Sequence, residues 1–262
     1  MNGLYCIHLE LTSVCNKACA MCGRRKIDRE YPDIRLRYGH MDFDLVEKIS
    51  KEVPKGIIVQ FHNNGDPTCY PRLGEALSLF KSNIRCFNTN GILLVEKASE
   101  IIGNVDTVAI SVFPNDPLAD EQYANVVKFL ELKGDRKPNL VYRILGDAPN
   151  ERYKQLPGIV VSRVLHDPLG SFKYKKPPTI PETGICLEAI SHLAIDRLGE
   201  VSLCVRFDPY GQNIIGNIKD NTLEEIWNGE KRLSLVQKHV DCKRNEIPFC
   251  SKCEYYGVPR GE

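Results

Sequence analysis

Along the first two thirds of the chain, short apolar runs alternate with longer segments whose apolar residues recur at helical spacing. The runs at 6–11, 56–62, 84–88, 107–112, 140–145 and 159–165 read as strands. Between them, 43–53 sets Leu45, Val46, Ile49 and Val53 on one helical face behind Asp42, a residue suited to an N-cap. Segments 72–81, 95–102 and 120–133 read as further helices. The run 56–62 is nearly continuous in apolar residues, as expected of a parallel strand buried on both faces. The basic, polar stretch 24–40 reads as an exposed connection, and 146–155 is too short for a long helix. Strands alternating with helices predict an α/β fold with a parallel sheet and crossover helices. Six strands would form a partial (β/α)6 barrel rather than a closed barrel of eight.

The pattern changes after Lys173-Tyr174-Lys175-Lys176-Pro177-Pro178, which reads as a linker. Apolar runs 191–195 and 201–205 flank Asp196-Arg197-Leu198-Gly199-Glu200, the signature of a β-hairpin. A helix through Leu223, Ile226 and Trp227 and another at 231–239 follow. The expected organisation is a barrel over 1–172 and a small C-terminal α+β domain, containing the hairpin, over 173–262.

Composition narrows the partners. The chain has 262 residues, a net charge of +1 and 42% hydrophobic residues. No basic excess favours nucleic acid or an anionic membrane. No apolar run approaches the roughly 18 residues of a membrane span, and the first residues lack the pattern of a signal peptide. The expected setting is cytoplasmic. There are 11 cysteines, and in a reducing compartment clustered cysteines are more often metal ligands than disulfides. Cys6, Cys69 and Cys86 are scattered and read as small buried apolar groups.

The remaining cysteines carry the chemistry. Cys15, Cys19 and Cys22 stand at C-x3-C-x2-C directly after the first strand. Thiolates at this spacing can hold three corners of an iron–sulfur cube and leave one iron open to a small molecule. A structural zinc knuckle is the alternative. Asn64-Gly65-Asp66-Pro67 and Thr89-Asn90-Gly91 follow the second and third strands. In parallel α/β folds the loops at the carboxyl ends of strands build the active site. Near the other terminus, Cys186, Cys204 and the pair Cys250-x2-Cys253 form a second set suited to a cluster or to zinc, with Cys242 as a spare thiol or a substitute ligand.

These motifs, in this order, resemble the radical S-adenosylmethionine enzymes. Leu11-Thr12-Ser13-Val14-Cys15-Asn16, with Cys19 and Cys22, is similar to that family's cluster loop. Asn64-Gly65-Asp66-Pro67 stands where the family has Gly-Gly-Glu-Pro. Cys186-x12-Gly199-x4-Cys204 and Cys250-x2-Cys253 resemble the auxiliary-cluster domain called SPASM, in its shortened Twitch form. The arrangement is most similar to the 2-deoxy-scyllo-inosamine dehydrogenase-like Twitch enzymes. This sequence departs from the family at Met21, where an aromatic residue is usual, and at Asp66, where Glu is usual.

The resemblance implies two 4Fe–4S clusters and S-adenosyl-L-methionine as cofactors. It implies Cys15, Cys19 and Cys22 as ligands of the first cluster, and Cys186, Cys204, Cys250 and Cys253 as ligands of the second. Met21, Asn64, Gly65, Asp66, Asn90 and Ser111 would contact S-adenosylmethionine. The implied reaction is hydrogen abstraction by a 5′-deoxyadenosyl radical, and the leading substrate is a small polyol or amino sugar. The auxiliary cluster would accept an electron, and a flavodoxin- or ferredoxin-type protein would be the reductant. Modification of a peptide or protein side chain, and a non-catalytic electron carrier, are the other readings. Oxidising an alcohol also needs a proton acceptor. His62, Arg143, Arg163 and His166 lie on or just after strands, and Arg143, on the opposite face from Tyr142, ranks first.

Overall fold

The computed structural model describes residues 1–19, 22–30, 38–145, 148, 150–163, 185–204, 211–251 and 253. The first part alternates β1 (Cys6–Leu9), α1 (Gly23–Glu30), α2 (Phe43–Glu52), β2 (Ile58–Gln60), α3 (Leu73–Leu79), β3 (Ile84–Thr89), α4 (Ala98–Ile101), β4 (Thr107–Val112), α5 (Ala119–Lys133), β5 (Asn139–Leu145), α6 (Glu151–Lys154) and β6 (Ile159–Arg163). The second part holds α7 (Leu187–Ser191), β7 (His192–Ile195), β8 (Glu200–Ser202), β9 (Ile214–Asn217), α8 (Leu223–Asn228), α9 (Glu230–Val240) and α10 (Pro248–Ser251).

Strands β1 to β6 pair in parallel, each with the next in sequence, forming the partial barrel. One side of this sheet meets the helices. Ile7, Leu9, Val59, Phe87, Val108, Ile110, Leu140 and Tyr142 join Ile49 of α2, Leu77 of α3 and Phe129 of α5 in one hydrophobic core. Successive side chains on a strand point to opposite faces. The residues between these therefore line the inner face of the partial barrel. Asp42 caps α2 as its sequence suggests, its side chain accepting from the Asp44 N–H.

The inner face explains why β2 is shorter and less enclosed than its apolar run implies. Val59 is 0% exposed, but Ile58, on the inner side, is 37% exposed. An open half-barrel leaves inner positions facing space that a closed barrel would fill with side chains. The stretch after Cys22 is also not simply a connection. It contains α1, and Arg24 is buried with its guanidinium 4.2 Å from the centre of the Tyr38 ring. Mean burial signals miss such a residue, because a long basic side chain covers apolar surface with its stem.

The C-terminal strands do not form a sheet of their own. β7 pairs in parallel with β1, placing Cys6 opposite His192, and the hairpin partner β8 and then β9 add on antiparallel. The result is one sheet in the order β6-β5-β4-β3-β2-β1-β7-β8-β9. Leu193, Ile195, Val201, Leu223 and Trp227 belong to the same hydrophobic core as the barrel strands. β9 escapes the sequence pattern because its small residues, Gly216 and Asn217, carry little strand signal. Gly216 is required there, since a Cβ would stand 2.8 Å from Ile226 of α8. The expected boundary at 172–173 lies outside the described residues. No helix among the described residues is long and apolar enough to cross a membrane.

Candidate cluster and cofactor sites

The cysteine loop leaves the carboxyl end of β1 and is locked to the loop after β2 through main chain. Gly65 has φ +70°, and a Cβ there would sit 2.5 Å from Thr12 O and 2.6 Å from Val14 O. The Asp66 N–H donates to Val14 O at 2.8 Å. Only glycine combines that backbone angle with that approach. Cys15, Cys19 and Cys22 are partly buried and lie within electrostatic reach of one another. Burial pushes the Cys15 thiol up and takes Cys19 to about 11, with the Lys17 ammonium opposing the shift at Cys19. Lys17 itself forms a buried ion pair with Asp116, from the loop after β4. Met21 lies outside the described residues.

Asp66 is the hub of this rim. It is 2% exposed and accepts from the Thr68 N–H (3.0 Å), the Thr89 hydroxyl (3.0 Å) and the Asn90 N–H (2.7 Å). Burial raises its pKa against those hydrogen bonds. Its carboxylate thus ties the loops after β2 and β3 together. Asn90 in turn donates to Asn16 Oδ1 at 2.7 Å and lies 3.8 Å from Cys15 Sγ. Gln122 of α5 bonds both Asn90 O (2.6 Å) and Ser111 O (2.9 Å), and Tyr153 holds Gln122 through its hydroxyl at 2.8 Å. Asn64, Gly65, Asp66, Asn90 and Ser111 are therefore gathered around the cysteine loop.

Two further residues join the site without having been singled out in the sequence. Glu10, 4% exposed, accepts from both the backbone N–H (3.0 Å) and the side-chain amide (2.7 Å) of Asn64, and burial raises its pKa. Lys17 is the other. Within a strand and a loop of ordinary composition, neither carried a signal; their partners are 54 and 99 residues away.

Arg143 stands opposite Ser111 in the β4–β5 register, both on the inner face. Arg163 closes β6, with its side chain outside the description, as is His166 altogether. His62 follows the end of β2. The register adds His8 and His192 to the inner face, their ring centres 5.9 Å apart. Their ring nitrogens and Cys6 Sγ lie within 4.8 Å of one another.

The second cysteine set converges. Cys186, Cys204, Cys250 and Cys253 line one largely apolar pocket with Leu203 and His239, although Cys186 and Cys253 are 67 positions apart. Cys242 is exposed, at φ +59°, and is not among the pocket's lining residues. No cysteine is disulfide-bonded. Cys15 follows the carboxyl end of β1, whereas Cys186 precedes the amino end of the parallel strand β7. Cys204 follows antiparallel β8, which ends on that same side. The two cysteine sets therefore sit at opposite ends of the strands, with the inner face between them. Both donor sets fit iron–sulfur clusters: three partly buried thiols on one loop, and four thiols around one apolar pocket.

Comparison with known proteins agrees with this geometry. Residues 186–254 match the SPASM family, an iron–sulfur cluster-binding domain, which favours a cluster over zinc for the second set. The solved structure of BtrN in complex with AdoMet and 2-DOIA is similar over 97% of this chain and 95% of its own, with a TM-score of 0.62 and 19% identity. That of anSMEcpe with bound AdoMet matches over 97% and 86%, with a TM-score of 0.64 and 14% identity. A curated relative, the tungsten-containing aldehyde ferredoxin oxidoreductase cofactor-modifying protein of Pyrococcus furiosus, is 29% identical over 171 residues. The match covers 58% of this chain and spans about half of that protein, 46%.

The fold is that of these AdoMet-bound structures, and residues 186–254 match the SPASM iron–sulfur cluster-binding domain. The cysteine loop and the matched domain together fit iron–sulfur clusters and S-adenosylmethionine as cofactors.

Proposed function

We infer that this chain dehydrogenates a small, hydroxyl-rich metabolite of the polyol or amino-sugar type. The observation that carries the reading is the polar inner face lying between the two cysteine sets. His8, Gln60, Asn88, Ser111, Arg143 and His192 line it, through strand alternation and register. Such a wall offers hydrogen bonds to hydroxyls. When bound at the Cys15, Cys19 and Cys22 loop, a cluster and S-adenosylmethionine supply a 5′-deoxyadenosyl radical on one-electron reduction, for which a flavodoxin- or ferredoxin-type protein would serve.

Turning an alcohol into a carbonyl removes a hydrogen atom, a proton and an electron. The chain's residues divide that work. Asn64, Gly65, Asp66, Asn90 and Ser111 shape the cofactor's rim. Arg143 anchors rather than accepts a proton, because a guanidinium stays protonated in proteins. His8 and His192 are imidazoles on the inner wall and suit the proton acceptor's role. The electron leaves toward the pocket of Cys186, Cys204, Cys250 and Cys253.

Anaerobically reconstituted protein, given S-adenosylmethionine and dithionite, is expected to release 5′-deoxyadenosine. None from protein with full iron content would sink the reading. Carbon-deuterated polyols and amino sugars should pass deuterium into that product. Transfer from none of them, with turnover on a precursor of a metal cofactor, would favour a second reading that the Pyrococcus relative supports.

A further inference from the structure

The pocket of Cys186, Cys204, Cys250 and Cys253 is also lined by a buried histidine. His239, on α9, is 0% exposed, and neither of its ring nitrogens has a hydrogen-bond partner among the described residues. It lines the same pocket as the four thiols. An imidazole always carries at least one N–H, and burying it unpaired is unfavourable. Other buried polar groups nearby are engaged: Arg232 donates to Trp227 O at 3.0 Å and Ile190 O at 2.9 Å, and Arg244 reaches Cys253 O at 3.5 Å. His239 therefore points to an occupant of the pocket as its partner.

We propose that His239 donates an N–H···S hydrogen bond to a sulfur of the auxiliary cluster and holds that cluster's reduction potential up. The proposal rests on the reading that the four cysteines hold a cluster. Hydrogen bonds to cluster sulfurs stabilise the more negative, reduced state, because added charge strengthens the acceptor. A higher potential makes the pocket a better destination for the substrate's electron. His239 is on this account a tuning residue, distinct from the ligands.

The test uses the whole 262-residue chain with Cys15, Cys19 and Cys22 replaced by alanine, so that only the auxiliary cluster is read. Iron, sulfide and zinc are assayed, and the cluster is titrated redox-potentiometrically by electron paramagnetic resonance. His239→Leu should keep about four irons per chain, as for one 4Fe–4S cluster, and shift the midpoint downward. The expected change in the oxidised–reduced equilibrium is on the order of threefold to tenfold, the worth of one hydrogen bond. His239→Gln, which keeps an N–H, should stay closer to the parent. An unchanged midpoint in a full His239→Leu cluster would overturn the proposal. Loss of iron with unchanged circular dichroism in both variants would overturn it too, making His239 a ligand. If the parent itself binds zinc or no iron, the cluster reading falls first and the proposal with it.

Discussion

Gly65 joins two loops whose residues are about 50 positions apart in sequence, and it does so with no side chain. Its Cα faces Thr12 O and Val14 O so closely that a methyl group would overlap both. The neighbours are main chain and cannot rotate away. Gly65→Ala should therefore displace the cysteine loop as well as strain the backbone at φ +70°. The expected outcome is selective loss of the first cluster, with iron falling from about eight per chain to about four. Far-ultraviolet circular dichroism should stay near that of the parent. Retention of about eight irons would show that the loop can shift without losing its ligand geometry. At the same scale, Asp66 shows what a residue's type leaves undetermined. Its carboxylate accepts from Thr68, Thr89 and Asn90 inside the protein, which no residue type announces. These bonds fix the shape of the rim between the loops after β2 and β3.

The strands carry a pH dependence of their own. Cys6 on β1 and Cys86 on β3 are outside both cysteine sets, and burial pushes their thiols from the ordinary 9.0 to about 12 and about 11. A thiol held protonated in the folded state favours folding fully below its unfolded pKa. That contribution is lost as pH rises through the folded values, because unfolding then releases protons. The apoprotein's urea midpoint should fall between pH 9 and about 11 to 12. Cys86→Ala should flatten the fall. A variant with the same slope as the parent would show that other groups govern it. The elements also show where sequence pattern reaches its limit. β4 and α2 follow their predicted spans closely, since each has a clear apolar face and, for α2, a cap. α1 and β9 were missed, because Arg24 is buried by stacking and β9 offers only two apolar residues, Ile214 and Ile215, before Gly216 and Asn217.

At the scale of the molecule, the pairing of β7 with β1 places the two cysteine sets at opposite ends of neighbouring strands. β1 delivers Cys15 at one end, and its neighbour β7 carries Cys186 at the other. Substitutions in the two sets should act independently on iron content. Replacing Cys15, Cys19 and Cys22, or replacing Cys250, should each leave about four irons. Cys242→Ala should leave about eight, because Cys242 is exposed and outside the four-cysteine pocket. Loss of half the iron on Cys242→Ala would return it to the ligand set. A sheet shared between the barrel and the C-terminal strands also predicts one cooperative unfolding transition for both regions, followed by Trp227 fluorescence and by circular dichroism.

The sequence alone determined the parts of this protein that depend on local order. Apolar periodicity determined the strand–helix alternation and hence the parallel half-barrel. Cysteine spacing within a single loop brought Cys15, Cys19 and Cys22 near one another, because residues a few positions apart converge with little help from the rest of the chain. What only the tertiary structure decided depends on contacts between distant segments. Cys186 and Cys253 meet through the placement of α7 and α10, not through spacing. Glu10 meets Asn64, Lys17 meets Asp116, and His8 meets His192, each across strands or loops whose neighbours are chosen by sheet order. Side chains of one type look alike in sequence. Burial and partner, set by the whole fold, make Asp66 an internal hub and leave His239 facing the four cysteines.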